Sequence, residues 1–519
     1  MIRLKNLFRV LVLALLLGAC TKTEQPGPLP RSVPEAEGVS SQAIINFLDA
    51  AGRSKHEFHS FMFLRHGRVI AEGWWNPYRS DLKHTLYSTS KSFTSTAIGF
   101  AVTEKRITVN DKLTSFFPQD LPDSVSPNLA SLTVKDLLTM SAGQDPEPTT
   151  RIVTTDDWVK SFLATPVVHE PGTVFLYNST ATFMLSAIVQ KVTGEKVIDY
   201  LKPRLFDPLG ITGMDWEVSP KGINTGGWGL RLKTEDMAKF GQLLLQKGNW
   251  HGKQVIPAAW VEEATTKKID QPPQWIAPGM TKDSSDWTQG YCYQFWRARH
   301  HAFRADGAYG QFIIVLPDED AVIAITCETP DMQGELNLVW NYLLPGIQQD
   351  KLPVNESLED TLKQKLSSLA LPLPAVIPAP SLEQGISGKS FARDTNRVHM
   401  NMISFHFMEG MCHVTLKIDT AIYSLAFGSG HWEYGDTTLP GPYLFPMAKS
   451  LFAGLPPFRI AEAYRWADPQ TLELTLRYIE SPHTETILCH FDKSRINMEL
   501  RESFNPGKPH SVIKGQMMK

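Results

Sequence analysis

Leu86-Tyr87-Ser88-Thr89-Ser90-Lys91-Ser92-Phe93 is the stretch on which the reading of this chain turns. It joins a polar approach to an amphipathic run, residues 93–102, in which Phe93, Ala97, Ile98 and Ala101 recur at helical spacing. With a helix beginning here, Ser88 and Lys91 stand three positions apart on one face of its first turn. A serine hydroxyl attacks well only when a neighbour takes its proton. A lysine one turn away does that when burial or a second cation keeps its amine partly neutral. The positive end of the helix also favours negative charge developing at the serine. The spacing alone is not selective, because Ser80 with Lys83 and Ser511 with Lys514 repeat it. The rest of the chain has to choose among the three.

A chain of 519 residues is too long for one ordinary core, so two or more domains are expected. Hydrophobic residues make up 42% and charged residues 20%, a globular composition without a disorder signature. With 51 basic and 54 acidic side chains the net charge is −3, which offers no electrostatic reason for a nucleic-acid partner. The amino terminus reads as targeting. Arg3, Lys5 and Arg9 precede an unbroken apolar run at residues 10–17, short for a membrane span and suited to the h-region of a signal peptide covering residues 1–20. Leu17-Gly18-Ala19-Cys20 resembles the bacterial lipobox, in which the cysteine is lipidated; an ordinary signal peptide with a coincidental cysteine is the alternative. With Thr21 rather than aspartate after Cys20, the resemblance places the chain in the periplasm, anchored to the outer membrane. Residues 21–37 then read as a tether. Cys292, Cys327, Cys412 and Cys489 show no metal-ligand spacing, and the last three sit in apolar, strand-like runs that suit buried thiols.

Residues 61–72 read as two strands about a His66-Gly67 turn. Residues 132–143 have helical spacing with Gly143 at the end. Glu170-Pro171-Gly172-Thr173-Val174-Phe175-Leu176-Tyr177-Asn178-Ser179 precedes an apolar helical run closed by Gly194, which puts Tyr177 in a loop before a buried helix. That position suits a site residue, and a packed loop tyrosine is the other reading. Residues 290–296, 312–316 and 321–326 are strand candidates, and between them Ala305-Asp306-Gly307-Ala308-Tyr309-Gly310 reads as backbone near a ligand, a bulge or a plain hairpin turn. Residues 351–379 turn proline-rich and read as a linker. From 380 to 519 the pattern alternates with period two, as an antiparallel all-β domain, barrel or sandwich. No feature there carries chemistry on this reading; Trp432, Trp466 and His483 are read as core or rim packing, with lining of a pocket as the alternative.

The order of these pieces resembles the serine β-lactamase and penicillin-binding-protein superfamily, in its class C-like serine hydrolase branch, over residues 38–350. The motifs are Ser88-x-x-Lys91, the Pro-Gly-x-x-Phe-x-Tyr loop ending at Tyr177, the late glycine-containing strand at Gly307, and the phrases Leu137-Leu-Thr-Met-Ser-Ala-Gly143 and Trp228-Gly-Leu230. The resemblance selects Ser88 over Ser80 and Ser511. It implies an α+β fold, an antiparallel sheet flanked by helices with an all-helical region, and a lipocalin-like β domain after it. It implies Ser88 as the acylated nucleophile, Lys91 as its proton acceptor or relay, and Tyr177 as a second base that later serves as acid. For that last role neighbouring positive charge has to lower the phenol from about 10. The backbone N–H groups of Ser88 and Ala308 would form the oxyanion hole, where one donor is worth roughly 3 kcal/mol of barrier. Ser179, Gly307 and Tyr309 would contact substrate, and neither metal nor cofactor is implied.

Two departures bear on substrate. The family often has Tyr-x-Asn where this chain has Tyr177-Asn178-Ser179, and β-lactamases have Lys-Thr-Gly where it has Ala305-Asp306-Gly307. The lysine that helps bind a substrate carboxylate is thus lost to Ala305, the neighbouring Asp306 would repel a carboxylate, and Arg304 could replace the cation. The expectation is therefore an esterase or amidase acting on a small ester, amide or peptide. A β-lactamase or D,D-peptidase is the alternative enzyme, and a non-catalytic binding or sensor protein on the same fold is the alternative class.

Overall fold

The computed structural model describes residues 27–276, 278–393, 398–505 and 507–518. The expected signal peptide, Cys20 and the first part of the tether lie outside the described residues.

The expected hairpin starts the sheet. β1 (Glu57–Arg65) and β2 (Arg68–Trp74) turn through His66 and Gly67 at φ 49° and 73°, the left-handed pair that matches strand twist in a two-residue turn. Four late strands complete it: β3 (Trp296–Arg297), β4 (Phe303–Gly307), β5 (Gln311–Leu316) and β6 (Ala321–Glu328). The order is β2-β1-β6-β5-β4-β3, antiparallel throughout. Residues 290–295 do not join as a regular strand. Gln294 takes φ 65° so that its amide can reach Leu137 O and Leu138 O, and that breaks the extended run.

Alternation along the strands divides the interior into two layers. Met62, Leu64, Ile313, Val315, Val322 and Ala324 enter one core; Phe61, Phe63, Phe312, Ile314, Ile323 and Ile325 enter the other. Burial on both faces accounts for the unbroken apolar run at residues 321–325. The second layer is closed by α1 (Ser41–Arg53), the first by α2 (Ser90–Thr103), α3 (Ser179–Thr193) and α4 (Thr234–Leu245). α2 is buried on every side up to Ala101 rather than amphipathic. Several of its small polar residues are tolerated inside because they are bonded: Thr94 Oγ1 donates to Gly226 O (2.9 Å) and Ser92 Oγ to Gln294 O (2.8 Å).

Two segments expected to be loose are docked. In the tether, Leu29 is buried, Arg31 pairs with Glu72 (2.8 Å) and Glu235 (3.0 Å), and Pro34–Glu37 form a helical turn. In the linker, Glu356–Ser367 form a helix, α5, capped by Asn355. Leu358, Leu362 and Leu366 recur every fourth residue there, a periodicity hidden by the flanking prolines. Burial of Leu362 contributes about 2 kcal/mol.

The last part of the chain is a closed barrel. β7 (Lys389–Arg393), β8 (Met400–Met408), β9 (Met411–Ile418), β10 (Ala421–Ser429), β11 (Glu433–Thr437), β12 (Phe458–Asp468), β13 (Thr471–Tyr478), β14 (Thr484–Asp492), β15 (Arg495–Glu502) and β16 (Ser511–Met517) run in the order β10-β9-β8-β7-β16-β15-β14-β13-β12-β11. A parallel contact of β10 with β12 closes nine of them and leaves β11 alongside. Closure removes the exposed edges that a sandwich would keep. Alternate residues such as Val414, Leu416, Leu472, Leu474 and Met498 fill the interior with Phe405, Phe491 and Trp466. The barrel is fastened to the first sheet's surroundings by Thr85 N to Glu480 O (2.9 Å), Tyr78 OH to Ser481 O (3.0 Å) and Arg477 Nη1 to Glu57 Oε1 (2.5 Å).

Candidate active site

Tyr87–Thr89 form one turn of 3-10 helix that feeds α2. The turn is pinned from three sides. Leu86 N donates to Leu230 O (3.0 Å), Leu230 N to Ser90 Oγ (3.1 Å) and Thr89 Oγ1 to Gln311 O in β5 (2.9 Å). Ser88 emerges from it, half-buried, at the floor of a cleft of about 300 Å³.

Lys91 is fully buried, and its Nζ lies 2.9 Å from Ser88 Oγ, 3.1 Å from Ser179 Oγ and 2.6 Å from Gly227 O. Desolvation lowers its pKa to about 7, against a smaller opposing pull from the Glu147 carboxylate. The neutral amine keeps two N–H donors and one lone pair. Gly227 O can only accept, so a donor is spent there, while Ser88 is a partner that can hand the lone pair a proton. Gly227 has to be glycine, since a Cβ there would meet Ser179 O at 2.5 Å.

Tyr177 sits where α3 begins. Asn178 caps that helix, its Oδ1 accepting from Ala181 N (3.0 Å), so its side chain serves the backbone and Ser179 faces the cleft. The Tyr177 ring stacks on Trp296 (5.6 Å) and lies 4.9 Å from Lys91 Nζ. Burial pushes the phenol well above its usual range; a hydrogen bond with Ser88 opposes the rise, and the Asp306 and Glu147 carboxylates add to it. The direction is opposite to the lowering that the second-base role calls for, and it favours the phenol as a proton donor that passes protons in a relay with Lys91.

β4 brings Asp306, Gly307 and Ala308 to the other wall. A Cβ on Gly307 would stand 2.1 Å from Leu86 O, so only glycine lets β4 lie beside the serine turn. Arg304 does not supply a free cation. It is fully buried, donates to Asp286 O (3.0 Å) and Arg297 O (2.9 Å), and packs on the Trp287 ring. Its Nε is 2.8 Å from Asp306 Oδ1, an ion pair with poor hydrogen-bond angles. Burial raises Asp306 to about 6, with Arg304 holding it down.

Ser88, Lys91, Tyr177, Ser179, Gly307 and Ala308 are thus brought together. Tyr309 is not: its ring turns away onto His483 and Phe504 (4.9 and 5.3 Å). Sequence reasoning missed several walls. Trp275, Trp287 and Trp296 line the cleft, and their density in one segment was an available signal. Glu147 and Thr149 follow no motif. Leu444 and Phe445 come from the barrel, in the loop between β11 and β12, with Phe445 on Trp228 at 4.8 Å. The β domain, in which no feature was expected to carry chemistry, forms part of the site's wall. Among the described residues no group of three or more His, Cys, Asp and Glu side chains is placed to hold a metal.

The Beta-lactamase family model matches residues 57–342, more than half of the chain. The 6-aminohexanoate-dimer hydrolase of Paenarthrobacter ureafaciens is 26% identical over 313 residues, covering 56% of this chain and 77% of that protein. The putative penicillin-binding protein PbpX of Bacillus subtilis is 25% identical over 183 residues, covering 33% of this chain and 44% of its own length. Among solved structures, a putative 6-aminohexanoate-dimer hydrolase from Bacillus anthracis superposes with a TM-score of 0.49 at 19% identity, covering 61% of this chain and 87% of that one.

Proposed function

We propose that this chain, which belongs to the beta-lactamase family and is a serine hydrolase, cleaves small esters or amides through an acyl-enzyme on Ser88. The observation that carries the assignment is the buried Lys91 amine, 2.9 Å from Ser88 Oγ and poised near pH 7. Lys91 takes the Ser88 proton as Oγ bonds to the acyl carbon. The backbone N–H groups of Ser88 and Ala308 receive the oxyanion. When the bond to the alcohol or amine breaks, the Tyr177 phenol donates a proton to the leaving group and regains one from the Lys91 ammonium. Water then attacks the acyl carbon by the reverse relay and frees the acid and Ser88.

The walls speak for the substrate class. Among the described residues that line the cleft, Glu147 and Asp306 carry carboxyls and none is a lysine or arginine, while the tryptophans with Leu444 and Phe445 offer apolar surface. Neutral substrates fit that lining, and a substrate carboxylate is repelled by it. The family relative named for hydrolysis of an aminohexanoate dimer supports amide cleavage as well as ester cleavage. Labelling with a fluorophosphonate, followed by peptide mapping and a chromogenic short-chain ester assay, tests the proposal. No label on Ser88 and no turnover would overturn it, and rapid nitrocefin turnover would overturn the substrate class alone.

The same proposal places the enzyme in the bacterial periplasm, lipid-anchored through Cys20 to the outer membrane, on the strength of Leu17-Gly18-Ala19-Cys20 and Thr21. Metabolic labelling with a palmitate analogue checks this: the label should vanish in Cys20→Ala, and an unlabelled parent protein rules the anchor out.

A further inference from the structure

The two peptide N–H groups assigned to the oxyanion hole have strained neighbours. Tyr87, just before Ser88, has φ 46°; Tyr309, just after Ala308, has φ 64°. Neither is glycine, and a bulky residue keeps a left-handed conformation only where its surroundings impose it. Both rings are gripped by the same side chain, His483 of the barrel. Its ring lies 5.7 Å from the Tyr87 ring and 4.9 Å, edge-on, from the Tyr309 ring, and the two tyrosines are 5.9 Å apart.

His483 is itself fixed. It is fully buried in the turn between β13 and β14, its carbonyl accepting from Tyr478 N (3.1 Å). Nδ1 lies 2.5 Å from Glu328 Oε1, and Nε2 lies 2.5 Å from the Tyr87 hydroxyl. A carboxylate only accepts, so Nδ1 donates to Glu328, and in that tautomer Nε2 accepts from the Tyr87 hydroxyl. Glu328 ends β6 and also accepts from Ser503 Oγ of the barrel (2.7 Å). The next residue, Thr329, donates its N–H to Tyr309 O (3.1 Å), so the same strand end that orients His483 also holds the second tyrosine by its backbone. Phe504 closes the outer side, 4.7 Å from His483 and 5.3 Å from Tyr309.

We propose that His483, oriented by Glu328, is a positioning residue that sets the oxyanion hole by holding Tyr87 and Tyr309, so that the barrel completes the catalytic apparatus of the other domain. The inference rests on acylation at Ser88 with the N–H groups of Ser88 and Ala308 as oxyanion donors. His483 touches no reacting atom, and its effect falls on transition-state geometry rather than on substrate binding.

The test compares the full-length parent with His483→Ala, His483→Gln, Tyr87→Phe and the Tyr87→Phe/His483→Ala double variant. Ester turnover, the fluorophosphonate labelling rate and the melting temperature are measured for each. Expected are a kcat loss of about tenfold or more in His483→Ala with KM within about threefold, and recovery of much of that loss in His483→Gln, whose amide oxygen can accept from Tyr87. Tyr87→Phe keeps the ring and loses only the hydroxyl, so it reads the contact even if His483→Ala folds poorly. The double variant should be no slower than the worse single one. Unchanged kcat in folded His483→Ala or Tyr87→Phe, or additive losses in the double variant, would overturn the proposal and leave His483 as an interdomain packing residue. Failure of the parent itself to label at Ser88 would instead strike the hydrolase assignment beneath it.

Discussion

The two parts of the chain reach the cleft by opposite means. The first supplies polar groups on short, tightly wound backbone: Ser88 on a 3-10 turn, Lys91 on the first turn of α2, Ser179 on the first turn of α3, Ala308 on a hairpin. The barrel supplies bulk and support, with Leu444 and Phe445 on a loop wall and His483 behind the serine turn. The reacting groups thus all come from the first domain, whose Trp275, Trp287 and Trp296 share the enclosure with the barrel's loop, and the barrel's part of the wall can change without disturbing the nucleophile.

Ser88→Ala gives the largest effect expected. Removing the nucleophile should cut kcat/KM by at least about a thousandfold, while the melting temperature stays within a degree or two, since the half-buried hydroxyl is replaced by a methyl that fits the same turn. Substantial residual turnover would move the chemistry elsewhere. The next effect belongs to Lys91. Because burial holds its amine at about 7, the active neutral form predominates above that pH and is lost below it. The rate on a neutral ester should therefore fall about tenfold per unit as the pH drops below 7. Lys91→Arg carries a charge that never leaves, and it should lose about 10²–10⁴-fold at every pH. A flat profile in the parent would mean that Lys91 is not the base.

A third expectation concerns the seam between the two parts. His59 and His84 are fully buried, 3.1 Å apart, with His59 stacked on Tyr78 and 3.2 Å from Glu57, the carboxylate that pairs with Arg477 of β13. Burial lowers both imidazoles from the usual value, Glu57 opposing this at His59 and the neighbouring histidine reinforcing it at His84. With folded values below unfolded ones, the stability these rings contribute is full above about 6.5 and is lost as the pH falls through that value. Each should add up to about 1.4 kcal/mol per pH unit to the slope of stability against pH. Chemical denaturation between pH 7.5 and 5 measures this, and His84→Gln should flatten the slope.

What was legible in the sequence follows the same division. Ser88, Lys91, Tyr177 and Gly307 could be found because their chemistry demands fixed spacing or a residue without a Cβ, and the sheet because its strands alternate or are apolar throughout. The identity of the base was only half legible. Which of Lys91 and Tyr177 loses a proton near neutrality depends on burial and on Glu147 and Asp306, which no local pattern ties to them. Leu444 and Phe445 left no signal and His483 stood out only as a packing residue, because a loop tip and a turn in a β domain read as connections until closure of the barrel carries them to Ser88. The helix at Glu356–Ser367 was legible by period and was obscured by the prolines around it.

The smallest effect tests the wall itself. Phe445 packs against Trp228 and lines the cleft, yet it stands on the barrel's loop and touches none of Ser88, Lys91 and Tyr177 through hydrogen bonds. Trimming it in Phe445→Ala removes apolar surface that a bound acyl chain meets equally in the ground and transition states. Such uniform binding appears in KM and not in kcat. KM for a hexanoyl or phenylacetyl ester should rise roughly threefold to tenfold, about 0.7–1.4 kcal/mol of lost contact, whereas an acetyl ester too short to reach the wall should be unaffected. If kcat fell instead, with KM unchanged, this loop would belong with His483 among the groups that set the geometry around Ser88, and the barrel would act on the chemistry from both sides of the cleft.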